Sequence, residues 1–161
     1  MLPIYNQNNF TNLKISNPKN CKNNINFICR LFPERGIGSR DLKNMLRLTN
    51  EIAEFNKSSE EKIILNHWGD AEESLINEFT YQSDNSFKSH GFKKDWFTRA
   101  NGKMVFLSNY EGFGLAPLES AAYGFETYVN EVFPKELFFC NNSIKLIITK
   151  KNKISILHQI L

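Results

Sequence analysis

Apolar residues along this chain come in short runs divided by polar, turn-rich stretches. Residues 25–29 (INFIC), 62–67 (KIILNH) and 104–107 (MVFL) each have the length and content of a buried strand. A shorter run at 87–90 is read as a further strand. Between the first two runs, Leu42, Met45, Leu46, Thr49, Ile52, Ala53 and Phe55 recur at helical spacing. They predict an amphipathic helix capped by Asp41 or Ser39 and ending near Asn56 and Lys57. A second helix is expected over 71–79, after a turn at Gly69–Asp70, and a short one over 95–100. A third full helix begins near 115, with Pro117 just inside it and Gly124 just past its end, the usual helix punctuation. Further on, 127–129 reads as a strand, 134–138 as a helical turn and 144–149 as a sixth strand. Residues 154–161 are apolar enough for either helix or strand.

Strand and helix alternate from residue 25 to 124, which predicts an α/β fold: a single Rossmann-like domain with a parallel sheet and helices on both faces. Residues 1–24, rich in Asn and holding Pro3 and Pro18, read as an irregular leading segment or linker. Residues 25–140 form the expected domain, and 141–161 a divergent C-terminal tail. No internal repeat interrupts this division.

Composition changes the picture little. The chain of 161 residues is 41% hydrophobic and 23% charged, the balance of an ordinary globular domain. A net charge of +3, scattered along the chain, does not favour nucleic acid as a partner. Cys21, Cys29 and Cys140 have no metal-binding spacing and read as reduced thiols. The N-terminus lacks the apolar core of a signal peptide, and no apolar run is long enough to span a bilayer. A cytoplasmic location is expected. Peripheral contact at a membrane surface, through Lys145, Lys150, Lys151 and Lys153, is a weaker reading than a solvated edge.

Candidate chemistry gathers in the loops that follow the strands, where parallel sheets bind their ligands. The strand at 104–107 leads through a loop with Gly112 and Gly114 into the helix near 115. Such a strand–loop–helix unit offers free backbone N–H groups and a helix dipole to an anion. Glu111 and Glu119 flank that spot. A carboxylate at Glu119 can accept hydrogen bonds from ribose hydroxyls, and Glu111 can do the same for a sugar ring. The plainer alternative makes Glu119 a helix-favouring charge and the glycines an ordinary turn. Arg30 and Arg35 lie in the loop after the first strand, and two fixed positive charges suit a diphosphate. Alternatively they are a solvated surface pair. His67 and His90 carry little weight alone.

The order of these pieces resembles the donor-binding, C-terminal half of the family 4 type retaining glycosyltransferases of the GT-B fold. The resemblance rests on Arg30-Leu31-Phe32-Pro33-Glu34-Arg35-Gly36 after the first strand, Gly69 after the second and Gly91 after the third. It rests most on EGFGLAPLESAAYG (residues 111–124), an E-x7-E motif with its small-residue helix and closing glycine. Even the leading segment IYNQNNF (4–10) is similar to the family's interdomain linker. The departure is Phe125-Glu126-Thr127-Tyr128, where the family has proline and a valine-rich strand.

The resemblance implies that Arg30 and Arg35 neutralise the diphosphate of a UDP- or GDP-linked sugar as the glycosyl–oxygen bond breaks. It implies that Glu119 holds the ribose. Glu111 and the backbone of Gly112, Phe113, Gly114 and Leu115 would grip the sugar and the distal phosphate. The base would lie near Gly91 and Phe92, with Gly69 beside the site. No metal and no cofactor are implied. The family's acceptor-binding N-terminal domain has no counterpart in this sequence. The expected protein is therefore a hexosyltransferase-like donor domain, working in polysaccharide or glycolipid biosynthesis and incomplete without an N-terminal half or acceptor-binding subunit. The alternative is a non-catalytic nucleotide-sugar-binding or interaction module with the same ancestry.

Overall fold

The computed structural model describes residues 22–32, 42–108, 115–150 and 154–161. Among the described residues the apolar runs form six strands: β1 (Asn24–Ile28), β2 (Ile64–Trp68), β3 (Phe87–Ser89), β4 (Lys103–Phe106), β5 (Thr127–Asn130) and β6 (Ile144–Ile147). They make one sheet in the order β3-β2-β1-β4-β5-β6 with every pairing parallel. Among the described residues six helices intervene or follow: α1 (Leu42–Ser58), α2 (Glu73–Gln82), α3 (Trp96–Arg99), α4 (Leu115–Ala122), α5 (Leu137–Cys140) and α6 (Ile156–Ile160).

Side chains alternate across a strand, so the sheet feeds two cores, one on each face. Ile25, Phe27, Leu65, Phe87, Val105, Tyr128 and Ile147 pack on one face with Met45, Leu48 and Ile52 of α1, Phe79 of α2 and Ile160 of α6. Met104, Phe106, Val129 and Ile144 face the other way, against Ala121 of α4, Leu137 of α5 and the aromatic rings of α3. The helices thus cover both faces, as expected.

Several details differ from the sequence reading. The departure at 125–128 does not break β5, whose four residues are all buried between β4 and β6. Burial there comes from neighbours on both sides, which apolar content in one short segment does not reveal. Residues 144–147 and 156–160 belong to the same sheet and core, as β6 and α6. The ambiguous apolar end is a helix. Its start is fixed from α1: Glu51 accepts hydrogen bonds from the Leu157 backbone N–H and the Ser155 hydroxyl, both at 2.8 Å. Arg47 joins this clamp by pairing with Glu51 and donating to the carbonyls of Thr149 and Ile154.

The connection from β3 to β4 contains the single turn α3. On the α3 side of the sheet, β1 and β2 are polar at inward positions. Asn26 donates to the carbonyls of Asn101 and Lys103, Trp68 donates to Asn26, and His90 stacks on Trp68 at 4.2 Å while bonding Asn66. This accounts for the asparagine inside the apolar run INFIC. Among the described residues no helix is long and apolar enough to cross a membrane.

Candidate functional site

Because every strand is parallel, all six carboxyl ends lie along one edge of the sheet. Between β1 and β4 the strand order reverses, and the connections on either side leave in opposite directions. This opens a crevice at that point, the general ligand position in open α/β sheets. Arg30 stands just past β1 on one side of it, exposed and without a hydrogen bond or ion pair among the described residues. On the other side β4 ends and the chain returns as α4.

The C-terminus of α4 is built as its sequence suggests. Gly124 adopts φ +85°, its N–H bonds the Ala121 carbonyl at 3.0 Å, and the Phe125 N–H bonds that of Ser120 at 3.1 Å. This is a Schellman motif, with buried Phe125 sealing it. Pro117 is buried inside the helix start, and Leu115 at its first position is half exposed. Glu119 lies one turn into α4, and the first turn holds no acidic residue. Glu119 therefore stands beyond the first turn, where the dipole is strongest. Its carboxylate has no hydrogen bond or ion pair among the described residues; burial, and with it the Glu119 charge, raise the pKa of the Tyr123 phenol.

The loops after β1, β2 and β3 are laced together. Leu31 N–H bonds the Asp70 carbonyl, Glu72 N–H bonds Leu31, and Gly69 N–H bonds the Gly91 carbonyl at 3.1 Å. Beneath them His67 is fully buried, its Nε2 2.9 Å from the Cys29 carbonyl and its Nδ1 3.0 Å from the Ser89 hydroxyl. A carbonyl only accepts, so Nε2 carries the proton and Nδ1 accepts from serine. Burial pushes the imidazole below its ordinary pKa, with the Cys29 carbonyl working against it. His67 therefore ties β1, β2 and β3 together as a neutral ring and faces no ligand.

The two glycines differ in kind. A Cβ on Gly69 would stand 2.0 Å from the Cys29 carbonyl oxygen, so this glycine is needed for packing between two loops. Gly91 has open space around it and a φ of +69°, so what it supplies is a left-handed turn. That turn presents Phe92 at 63% exposure, with Phe32 also exposed nearby on the laced β1 loop. The described predicted residues Arg30, Gly69, Gly91, Phe92, Leu115 and Glu119 thus share one edge. Arg35, Glu111, Gly112, Phe113 and Gly114 lie outside the described residues. Sequence reading passed over Asn130 and Ser108, which meet at this edge: the Asn130 amide donates to the Ser108 carbonyl at 2.7 Å. Neither belongs to a recognisable motif.

Solved structures share this architecture. TarM superposes with a TM-score of 0.66 at 15% identity, over 92% of this chain and 30% of its own. The lipopolysaccharide outer core galactosyltransferase WaaB gives 0.60 at 15% identity, over 91% and 40%. The pneumococcal O-GlcNAc transferase GtfA, solved with UDP and GlcNAc, gives 0.60 at 16%, over 89% and 28%. The fold is that of GT-B glycosyltransferases. This chain spans less than half the length of each, and a chain of the GtfA/B complex matches similarly at 0.58. No protein-family model and no curated protein sequence matches the chain.

Proposed function

We propose that this chain is the donor-binding half of a retaining glycosyltransferase of the family 4 type and binds a nucleotide-diphosphate sugar. The observation that carries this reading is the reversal of strand order between β1 and β4, which sets Arg30 and the start of α4 on either side of one crevice. In this reading Arg30 and Arg35 take the diphosphate through charge-assisted hydrogen bonds. Their fixed charge stabilises the leaving diphosphate as the glycosyl bond breaks. Glu119, one turn into α4, accepts from ribose hydroxyls with a carboxylate that no other described residue occupies. Glu111 and the backbone of 112–115 hold the sugar and distal phosphate. The base rests against Gly91 and Phe92, whose exposed ring offers a stacking surface.

A separate acceptor-binding half or subunit completes the cleft and excludes water from the reacting carbon. The exposed Phe32, Phe92 and Leu115 at the rim fit such a partner, and the GtfA/B complex is a two-component precedent among proteins of this fold.

The test is a thermal-shift series with UDP, GDP, UDP-glucose, UDP-N-acetylglucosamine and GDP-mannose. A ligand that binds only the folded chain raises its Tm. At least one is expected to do so, and UDP is the first probe because GtfA was solved with it. No shift from any of them at millimolar concentration overturns the proposal. Binding that persists without transfer, when an acceptor half is supplied, points instead to the non-catalytic module.

A further inference from the structure

His67 occupies a core position of β2, fully buried, with its ring against those of Phe27 and Phe87. Its neighbours on this face, Phe27 and Leu65, are apolar, and an imidazole is tolerated among them because both of its nitrogens are bonded. Nδ1 accepts from the Ser89 hydroxyl inside the sheet, and Nε2 donates to the Cys29 carbonyl at 2.9 Å. The second bond reaches beyond the ladder: Cys29 lies past the end of β1, where the paired register with β2 stops at Ile28 and Trp68. The carbonyl that His67 holds belongs to the same planar peptide as the Arg30 nitrogen, so the two are oriented together. On the other flank of Arg30, the Leu31 N–H bonds the Asp70 carbonyl and the Leu31 carbonyl accepts from the Glu72 N–H, both at 2.9 Å. Leu31 is itself fully buried. The exposed side chain of Arg30 thus stands on backbone fixed at both flanks by groups from β2 and the segment that follows it. What an apolar residue at position 67 would lack is the hold on the peptide before Arg30.

We propose that His67 is a positioning residue for Arg30. By donating to the Cys29 carbonyl from beneath, it fixes the peptide from which Arg30 sets out, so that the guanidinium meets a diphosphate without first losing backbone freedom. His67 touches no ligand, and its effect on binding passes through Arg30. This inference rests on the donor-site reading above.

The experiment is a double-mutant cycle on UDP affinity, measured by calorimetry below the Tm of every variant, with uridine as the control. His67→Phe keeps a flat ring beside Phe27 and Phe87 and removes the donor. It is expected to weaken UDP about tenfold, the scale of one hydrogen bond, and to leave uridine unchanged. In the Arg30→Ala background the same substitution is expected to change UDP affinity by less than about twofold. Ser89→Ala, which removes only the other bond of the ring, should lower Tm with UDP affinity intact. A merely structural His67 predicts a lowered Tm in His67→Phe with UDP affinity intact, and that result overturns the inference. So do losses that multiply in the double variant, an equal loss for uridine, or a Ser89→Ala variant as weak toward UDP as His67→Phe. If His67→Phe does not fold, His67→Leu, which also lacks a donor, is carried through the same cycle. Where wild type binds GDP and not UDP, the cycle is run with GDP and guanosine. Wild type that binds neither diphosphate defeats the donor-site reading itself, whereas wild type that binds beside an unimpaired His67→Phe variant defeats only the role given to His67.

Discussion

The carbonyl oxygen of Cys29 lies 2.0 Å from where a Cβ on Gly69 would stand, so the loops after β1 and β2 are in contact through backbone alone. Gly69→Ala must push that backbone apart and disturb the His67 hydrogen bond to the same carbonyl. We expect a loss of about 3 kcal/mol, from overpacking a site bounded by backbone. Gly91→Ala meets no atom and pays only for its left-handed φ of +69°, a loss of about 1 kcal/mol. Urea unfolding of both variants measures the difference. Equal losses would contradict the contact.

The buried, neutral His67 makes stability depend on pH. Its pKa in the folded chain lies below the ordinary 6.5, so as pH falls the unfolded chain takes up its proton first. Stability from this group is complete above about pH 6.5 and is lost as pH falls toward the lower native value. His90, also lowered by burial and by Lys88, acts in the same direction. Tm should therefore drop between about pH 7.5 and about pH 5.5, with His67→Gln less stable but showing a shallower slope. An unchanged slope in that variant would remove His67 as the cause.

Glu51 holds the start of α6 from a distance in sequence. Glu51→Ala leaves the Leu157 N–H and Ser155 hydroxyl without this acceptor and removes the carboxylate that pairs with Arg47. A loss of about 1–2 kcal/mol is expected, the size of a lost helix cap. Glu51→Gln, which keeps an acceptor oxygen, should lose less. Chemical denaturation distinguishes the two.

At the crevice, Arg30 has no partner among the described residues and serves a diphosphate in the proposed function. Arg30→Ala should weaken UDP about tenfold or more while leaving uridine binding unchanged. Calorimetry with both ligands measures the selectivity. Equal losses for nucleoside and nucleotide would remove the arginine from the phosphate position. The substitution lies on an exposed loop, so Tm without ligand should stay close to wild type.

Much of the fold was legible in the order of residues. Strand runs, the α1 stripe and the Pro117–Gly124 punctuation are local signals, set by side-chain period and backbone preference, and each stands near its expected place. Leu48 and Asn56, which the helical stripe omitted, are buried because α2, β2 and the Ser86 loop close over them, and Asn56 bonds Ile63 at both amide atoms. Asn26 is buried in the strand run because its amide bonds the Asn101 and Lys103 carbonyls and accepts from Trp68.

Residues 104–107 and 115–124 taken alone determine a strand and a helix closed by glycine, because those depend on neighbours a few positions apart. The tertiary structure alone decided what surrounds them. It put Arg30 across the crevice from α4 through the reversal of strand order and brought Asn130 to Ser108 across the β4–β5 pairing. Contacts between strands depend on register and order in the sheet, which no local period encodes.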